Sequence, residues 1–326
     1  MSRPLLSAVV SAIVLALTSV SEASAETNFP IKPVKIVLPL PAGSAPDVIA
    51  RVVGEGLTSR WGQQVIVENR PGAGGALAAQ AVASAQRDGY TLLGTGGSTF
   101  QILPAQKEKL AIDVNRDLVH IGMIACCNPM FVAAAPRLGI KTFSQFVALA
   151  KSKPHDILVG TNGTGTLPNF AGLAIAKKGN IPLTVVPYAQ GGTPAAISDI
   201  MGGRVHATIE AVAGLQGQLQ SGDLNLIGVM SEKRDPEYPD VPTIAETVPG
   251  LTAIGFISLA APAGTPAEVV RQLNEALNET LVMPRVRQRF AELSMPIKIM
   301  TPEETKTFVE HEEKLWWPMV RELEPK

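Results

Sequence analysis

Three times this sequence runs from a β-branched segment into glycines and then into a helix opened by proline. The junctions are Val34–Leu40 into Pro41–Pro46, Asp156–Val159 into Gly160–Pro168, and Leu183–Val186 into Pro187–Pro194. A chain that keeps switching from strand to helix across a glycine is confined to α/β architectures. Glycine lets backbone come close to a ligand, and proline at the first helical position gives up an N–H that has no helical partner anyway. The other amides of the first turn, at the positive end of the helix dipole, favour an anion.

Other helix starts in the chain satisfy themselves. Thr265-Pro-Ala-Glu268, Thr301-Pro-Glu-Glu304 and Thr142-Phe-Ser-Gln145 fit the capping box, in which the third helical residue reaches back to the cap. The three glycine-preceded helices place Val48, Asn169 and Ala196 near that position, and none of these closes a box. They are read as starts whose amide donors are left for a guest, with capping by surface water as the alternative.

The N-terminus reads as a secretory signal peptide: Arg3, an uncharged run Leu5–Val20, then Ala23-Ser-Ala25, with cleavage expected after Ala25. The apolar run is shorter than the roughly 20 residues of a membrane span. The remaining chain of about 300 residues is long enough for two domains, and its 46% hydrophobic content can fill a large core. Charged residues are 17% and the net charge is −1, without an arginine-rich run, which argues against nucleic acid or anionic membranes as partners. Cys126 and Cys127 are the only cysteines. A bridge between neighbours closes no long loop, so buried free thiols are the reading adopted, with a vicinal disulfide and a reactive pair as alternatives. No metal-site spacing is present, and neither metal nor cofactor is expected.

Strand-like and helical runs alternate almost throughout, which predicts mainly parallel sheets flanked by helices. The helix Pro46–Arg60 places Ile49, Val52, Val53 and Leu57 on one face. Leu118–Ala125 and Met130–Ala135 read as strands either side of Asn128-Pro129, a crossing into a second domain, with the return near Leu251–Ala261. The expected organisation is a discontinuous domain 1 (residues 26–128 plus 251–326) and a domain 2 (129–250), joined by two hinge crossings. The helices Pro266–Leu281, Pro284–Glu292 and Pro302–Glu322 are placed on domain 1.

Several segments resemble the Bug-type periplasmic receptors, the solute-binding components of tripartite tricarboxylate transporters. They are Lys35–Gly43, Val67-Glu-Asn-Arg-Pro-Gly-Ala-Gly-Gly75, Asp88–Leu93, Pro187–Gly192, Pro242–Glu246 and Ala261–Pro266, in the family's order along the mature chain. The resemblance implies a two-lobed periplasmic-binding-protein (Venus flytrap) fold. It also implies a small carboxylated ligand in the cleft, delivery to membrane permease subunits, no chemistry on the ligand, and a periplasmic location; a monomer is expected. Carried onto this sequence, the ligand loops are Pro41, Ala42, Gly43, Ser44 and Asp47 in the first lobe, and Thr161, Asn162, Gly163, Thr164, Gly165, Thr166 and Asn169 in the second. Ser98, Thr99, Tyr188, Gly191, Gly192 and Thr193 are wall residues. The sequence departs from the family pattern at Ser44, where a second glycine is frequent, at Pro46 for threonine, at Asn169 for histidine, and near Ser258 for an aromatic. Ser44 adds a hydroxyl, and Asn169 replaces a titratable group with an amide.

Two acids carry alternative readings. Asp47 either stabilises the first turn of its helix or holds a water or a donor group of the ligand. Glu210 is either a solvated strand end or a pocket acid that selects an amine or hydroxyl on the guest. Neither main loop contains Arg or Lys, so a guest's charge would be met by amides, hydroxyls and bridging waters. His120, His155, His206 and His311 form no paired motif, and Trp316-Trp317 reads as packing. Two other classes compete: an exported hydrolase, which lacks a nucleophile elbow, metal-spaced ligands and a P-loop lysine, and a receptor reporting to a membrane sensor.

Overall fold

The computed structural model describes residues 29–106 and 111–323; the expected signal peptide and its cleavage point lie outside them. The first half of the chain runs β1 (Val34–Leu38), α1 (Ala45–Trp61), β2 (Val65–Asn69), α2 (Ala76–Ala83), β3 (Thr91–Gly96), α3 (Val114–Asp117), β4 (Leu118–Pro129), β5 (Phe131–Ala134), α4 (Phe143–Ser152) and β6 (Ile157–Asn162). There follow α5 (Leu167–Lys178), β7 (Leu183–Tyr188), α6 (Gly192–Met201), β8 (Ala207–Glu210), α7 (Gln216–Ser221), β9 (Asn225–Val229), β10 (Ile254–Pro262), α8 (Ala267–Leu281), α9 (Pro284–Glu292) and α10 (Pro302–Leu323).

The strands form two five-stranded sheets, ordered β2-β1-β3-β10-β4 and β7-β6-β8-β5-β9. Both are mixed, which corrects the expectation of mainly parallel sheets. In the first, β1 runs parallel to β2 and β3, whereas β10 is antiparallel to β3 and β4. In the second, β6 is parallel to β7 and β8, whereas β5 is antiparallel to β8 and β9. The reason lies in the hinge. Strands β1, β3, β6 and β8 end where the two lobes face each other, while β5 and β10 enter from the opposite lobe at that same end and must run back. The carboxyl ends of the parallel strands therefore converge on one crevice, the usual ligand position of such sheets.

At the crossing the backbones of Met130, Met230 and Ala253 close a ring: Met130 N donates to Ala253 O (2.9 Å), Ala253 N to Met230 O (2.8 Å), and Met230 N to Met130 O (2.8 Å). Helices cover both faces of each sheet. Ile49, Val53 and Leu57 of α1 are fully buried against the first sheet, as the helical spacing predicts. The last helix corrects the placement of 302–322 on the first domain alone. Val309 packs with the first lobe, but Trp316 and Val320 sit in the core of the second, and Lys177 Nζ donates to Glu322 O (2.6 Å). A helix of 22 residues is about 33 Å long, enough to reach both lobes.

Cys126 and Cys127 are disulfide-bonded, which overturns the free-thiol reading. In a regular strand adjacent side chains point to opposite faces and cannot meet. Here the β4–β10 register slips between Gly255 and Ile257, and Cys127 takes φ +68° at that bulge, which turns its side chain toward its neighbour's.

Candidate functional site

Four loops at the carboxyl ends of the strands surround a cavity of 180 Å³ between the lobes. The first follows β1. Gly43 adopts φ +81°, which bends the chain so that its N–H reaches Asp47 Oδ2 (2.9 Å). Asp47 is buried and also accepts from Arg51 Nε (3.1 Å), Arg51 Nη2 (2.9 Å) and Asn69 Nδ2 (2.9 Å); Asn69 Nδ2 donates in turn to Leu40 O (3.0 Å). Burial raises the Asp47 carboxyl, but the hydrogen bonds from Arg51, Gly43 and Asn69 and the Arg51 charge outweigh it and hold the carboxyl below the ordinary aspartate value. Asp47 thus braces the loop from behind. Ser44 is buried with its Oγ on Pro41 O (2.8 Å).

The second loop links β6 to α5. Thr166 caps the helix: its Oγ1 accepts from Asn169 N (3.4 Å) and donates to Gly163 O (2.9 Å). Asn169 is buried and donates to Thr161 Oγ1 (3.3 Å). The amide of Leu167 crosses to the other lobe, donating to Ser98 Oγ (3.1 Å). The third loop, between β7 and α6, turns on Gly191 (φ +77°) and Gly192 (φ +54°), and Thr193 N donates to Asn162 Oδ1 (2.8 Å). Tyr188 carries its hydroxyl to Asp199 Oδ2 (2.5 Å), away from the ring of loops.

These bonds correct the expectation that the three helix starts leave their donors to a guest. Asp47 stands at the third helical position of α1, one residue before the Val48 assumed there, and it reaches back to Gly43. Thr166, read as loop, is a cap, and Asn162 takes the Thr193 amide. What remains is smaller: among the described residues the amides of Thr164 and Gly192, both in the cavity wall, have no hydrogen-bond partner. The capping boxes fare unevenly too. Thr301 and Glu304 bond reciprocally; Thr142 caps Gln145 N, but Gln145 Oε1 accepts from Lys141 N; at α8 the Thr265 hydroxyl turns to Pro262 O and Glu268 to Arg271. Thr243 and Glu246 form a box not anticipated.

Of the residues singled out from sequence, Pro41, Ser98, Asn162, Gly163, Thr164, Thr166, Tyr188 and Gly192 line the cavity. Ala42, Gly43, Ser44, Asp47, Thr99, Thr161, Gly165, Asn169, Gly191, Thr193 and Glu210 stand outside its lining, most of them directly behind it. Glu210 corrects both of its readings: it is neither solvated nor in the cavity wall, but is buried beneath the third loop and accepts from Asn162 Nδ2 (3.1 Å) and Ala211 N (2.9 Å).

The fourth loop, Pro71–Gly75, was not foreseen as part of the site. Gly72, Ala73, Gly74 and Gly75 all adopt positive φ (136°, 46°, 61° and 106°). A Cβ on Gly74 would lie 3.3 Å from Gly165 O, so the lobes touch backbone to backbone there. Three glycines in four residues after a strand was the available signal; the left-handed Ala73 was not readable. No lining residue is charged. A larger cavity of 590 Å³ lies between α1 and α9 on the outside of the first lobe, where Arg285 pairs with Glu55, Arg289 with Glu292 and Arg51 with Asp47, and no strand ends open into it. Among the described residues no helix is long and apolar enough to cross a membrane.

Comparison with known proteins agrees with this geometry. The family described as "Tripartite tricarboxylate transporter family receptor" matches residues 49–324. The chain is 38% identical to a UPF0065 protein of Bordetella bronchiseptica over 85% of this chain and 81% of that one. It is 30% identical to Protein BugT of Bordetella pertussis over 95% of each. Among solved structures, MatC of Rhodopseudomonas palustris with bound malate superposes with a TM-score of 0.83 at 28% identity, covering 90% of this chain and 100% of that one. Rpa4515 of R. palustris with adipate gives a TM-score of 0.85 at 25% identity, covering 90% and 98%. A two-lobed fold with strand ends meeting at an uncharged crevice, and a family match over most of its length, place this chain in the tripartite tricarboxylate transporter family of receptors.

Proposed function

We propose that this receptor closes its two lobes on a small organic acid in the periplasm and hands it, chemically unchanged, to the permease subunits of a tripartite transporter. The observation that carries the reading is a crevice between the lobes with no charged wall residue and with the Thr164 and Gly192 amides facing no protein acceptor. A carboxylate gains charge-assisted hydrogen bonds from such amides and from the hydroxyl of Ser98, whose oxygen accepts from Leu167 and whose hydrogen is left to donate, at roughly twice the strength of neutral ones. The malate and adipate held by MatC and Rpa4515 support the same ligand class.

The lobes, one built on the described residues up to 128 together with 251–301 and the other on residues 129–250, move about the Met130–Met230–Ala253 ring, with α10, packed into both cores, as a third connection between them. The Ser98–Leu167 hydrogen bond belongs to the closed form. A ligand moves this equilibrium only through its preference for that form.

A thermal-shift screen of the mature chain against mono-, di- and tricarboxylic acids, malate and adipate included, tests the reading. A true ligand at 100 times its Kd stabilises by about 2.7 kcal/mol, and the bound acid is recovered intact by mass spectrometry. A panel in which no acid stabilises the protein, or one in which an acid is consumed, contradicts it.

A further inference from the structure

Glu210 ends β8 beneath the third cleft loop, with its side chain buried and the backbone of Gly214 packed over its stem; a Cβ on Gly214 would lie 2.8 Å from Glu210 Cγ. The elements around it present no cation. β6 offers Asn162, α6 offers Thr193, β8 itself continues into the Ala211 amide, and the register partner on β5 is Phe131. The nearest titratable groups of β7 and α6, Tyr188 and Asp199, are bonded to each other, and Asp199 also to Arg204. No charged side chain among the described residues acts on Glu210; its carboxyl is raised by burial, against hydrogen bonds from Thr193, Ala211 and Asn162.

The hydrogens in this cluster can be counted. Thr193 Oγ1 lies 2.5 Å from Glu210 Oε2 and 2.7 Å from Asn162 Oδ1. A hydroxyl has one hydrogen, and an ionised carboxylate and an amide oxygen are both acceptors only. With Glu210 ionised, one of these two close oxygen pairs has no proton between its atoms. Flipping the Asn162 amide does not help, because its NH2 would then oppose the Thr193 N–H, 2.8 Å away, and its oxygen would oppose Glu210 Oε2. One proton on Oε2 satisfies every contact. Glu210 donates to Thr193, Thr193 to Asn162, Asn162 Nδ2 back to Glu210, and Ala211 N to Oε1.

We infer that Glu210 works as a neutral carboxylic acid whose O–H closes a hydrogen-bond ring with Thr193 and Asn162. This ring fixes the Gly191–Gly192 turn in its anion-receiving shape, so the hold on an anionic guest weakens once rising pH removes that proton. Glu210 is a positioning residue, acting on the guest through Thr193 and Gly192. Its neutrality also keeps a negative charge from standing behind the amides that face the anion. The effect on the guest rests on the ligand class proposed above; the proton itself does not.

The test has two arms. In the first, unfolding of the ligand-free mature protein is followed from pH 4 to 9 in wild type and Glu210→Gln, which keeps a donor and an acceptor but cannot ionise. A proton retained only by the folded state makes wild type lose stability relative to the variant above the ordinary glutamate value of 4.5, by about tenfold in the unfolding constant per pH unit until the folded group titrates. In the second, calorimetric titrations with malate and adipate between about pH 6 and 9 show wild-type affinity falling by up to about tenfold per pH unit, while the Glu210→Gln profile stays flat. Infrared spectra of wild type and Thr193→Ala provide a check independent of the Gln variant, since removing the acceptor of the O–H shifts the protonated-carboxyl band. Parallel unfolding curves, or a band that Thr193→Ala leaves in place, overturn the inference. Diverging unfolding curves with neither acid bound leave the proton where it is assigned and overturn the ligand reading instead.

Discussion

Asp47 and Glu210 are both buried carboxyls bracing a glycine turn at the crevice, one in each lobe, yet only Asp47 has a cation beside it. Arg51 approaches Asp47 from the next turn of α1, half exposed, and lets it stay ionised while it holds Gly43 and Asn69. Glu210 has only an amide, a hydroxyl and a backbone N–H. The same task, fixing a loop from behind, is therefore done with a compensated charge in one lobe and with a proton in the other. Uncompensated charge buried beneath an anion site would cost several kcal/mol, and the two arrangements are two ways of avoiding it.

The difference is first measurable as stability. Asp47→Ala leaves the Gly43 and Asn69 donors without their acceptor, and should cost about 2–3 kcal/mol in urea denaturation; a loss below about 0.5 kcal/mol would mean that the first loop is not held this way. Next comes Gly192→Val. Gly192 has φ +54°, and a Cβ there would lie 3.0 Å from Asn162 Oδ1 and 3.3 Å from Pro41 Cγ. Strain of about 1–3 kcal/mol at a wall amide should weaken acid binding by tenfold or more in calorimetry, and unchanged affinity would remove this turn from the site.

The pH responses of the two acids should have opposite signs. Asp47 titrates below its unfolded value of 3.8, so its contribution is complete above that value and is lost as pH falls through the folded one; the gap between wild type and Asp47→Asn closes in acid. Glu210 titrates above 4.5, so its contribution is complete below that value and is lost as pH rises. Each slope is bounded at about 1.4 kcal/mol per pH unit, and like-signed slopes in paired melts would dissolve the contrast. Smallest is Ser98→Ala, which deletes the acceptor of the Leu167 amide across the lobes. It should lower acid affinity by about 0.5–1.5 kcal/mol with no change in unliganded melting, because only closure loses the bond.

Much of this arrangement was readable from residues. The strand–glycine–proline junctions placed three of the four cleft loops, and the helical spacing found the buried face of α1. What failed did so for local geometric reasons. A helix start misjudged by one residue concealed Asp47 as the group that reaches back to Gly43, and Thr166 looked like loop because a threonine cap and a threonine in a turn have the same sequence. The Pro71–Gly75 loop depends on four successive left-handed residues, one of them Ala73, a conformation that alanine's identity does not announce. The Cys126–Cys127 bond depends on a bulge set by register with a strand more than a hundred residues away. Strand direction in the sheets depends on which side of the hinge each strand enters, which no local pattern encodes.

If uncharged amides between the lobes receive the guest, its negative charge must matter more than its shape. Isothermal titration should therefore compare the tightest-binding acid of the panel with its neutral amide on the same carbon skeleton. The acid is predicted to bind at least about tenfold more tightly, 1.4 kcal/mol or more. Equal affinities for acid and amide would show that the crevice does not recognise a carboxylate.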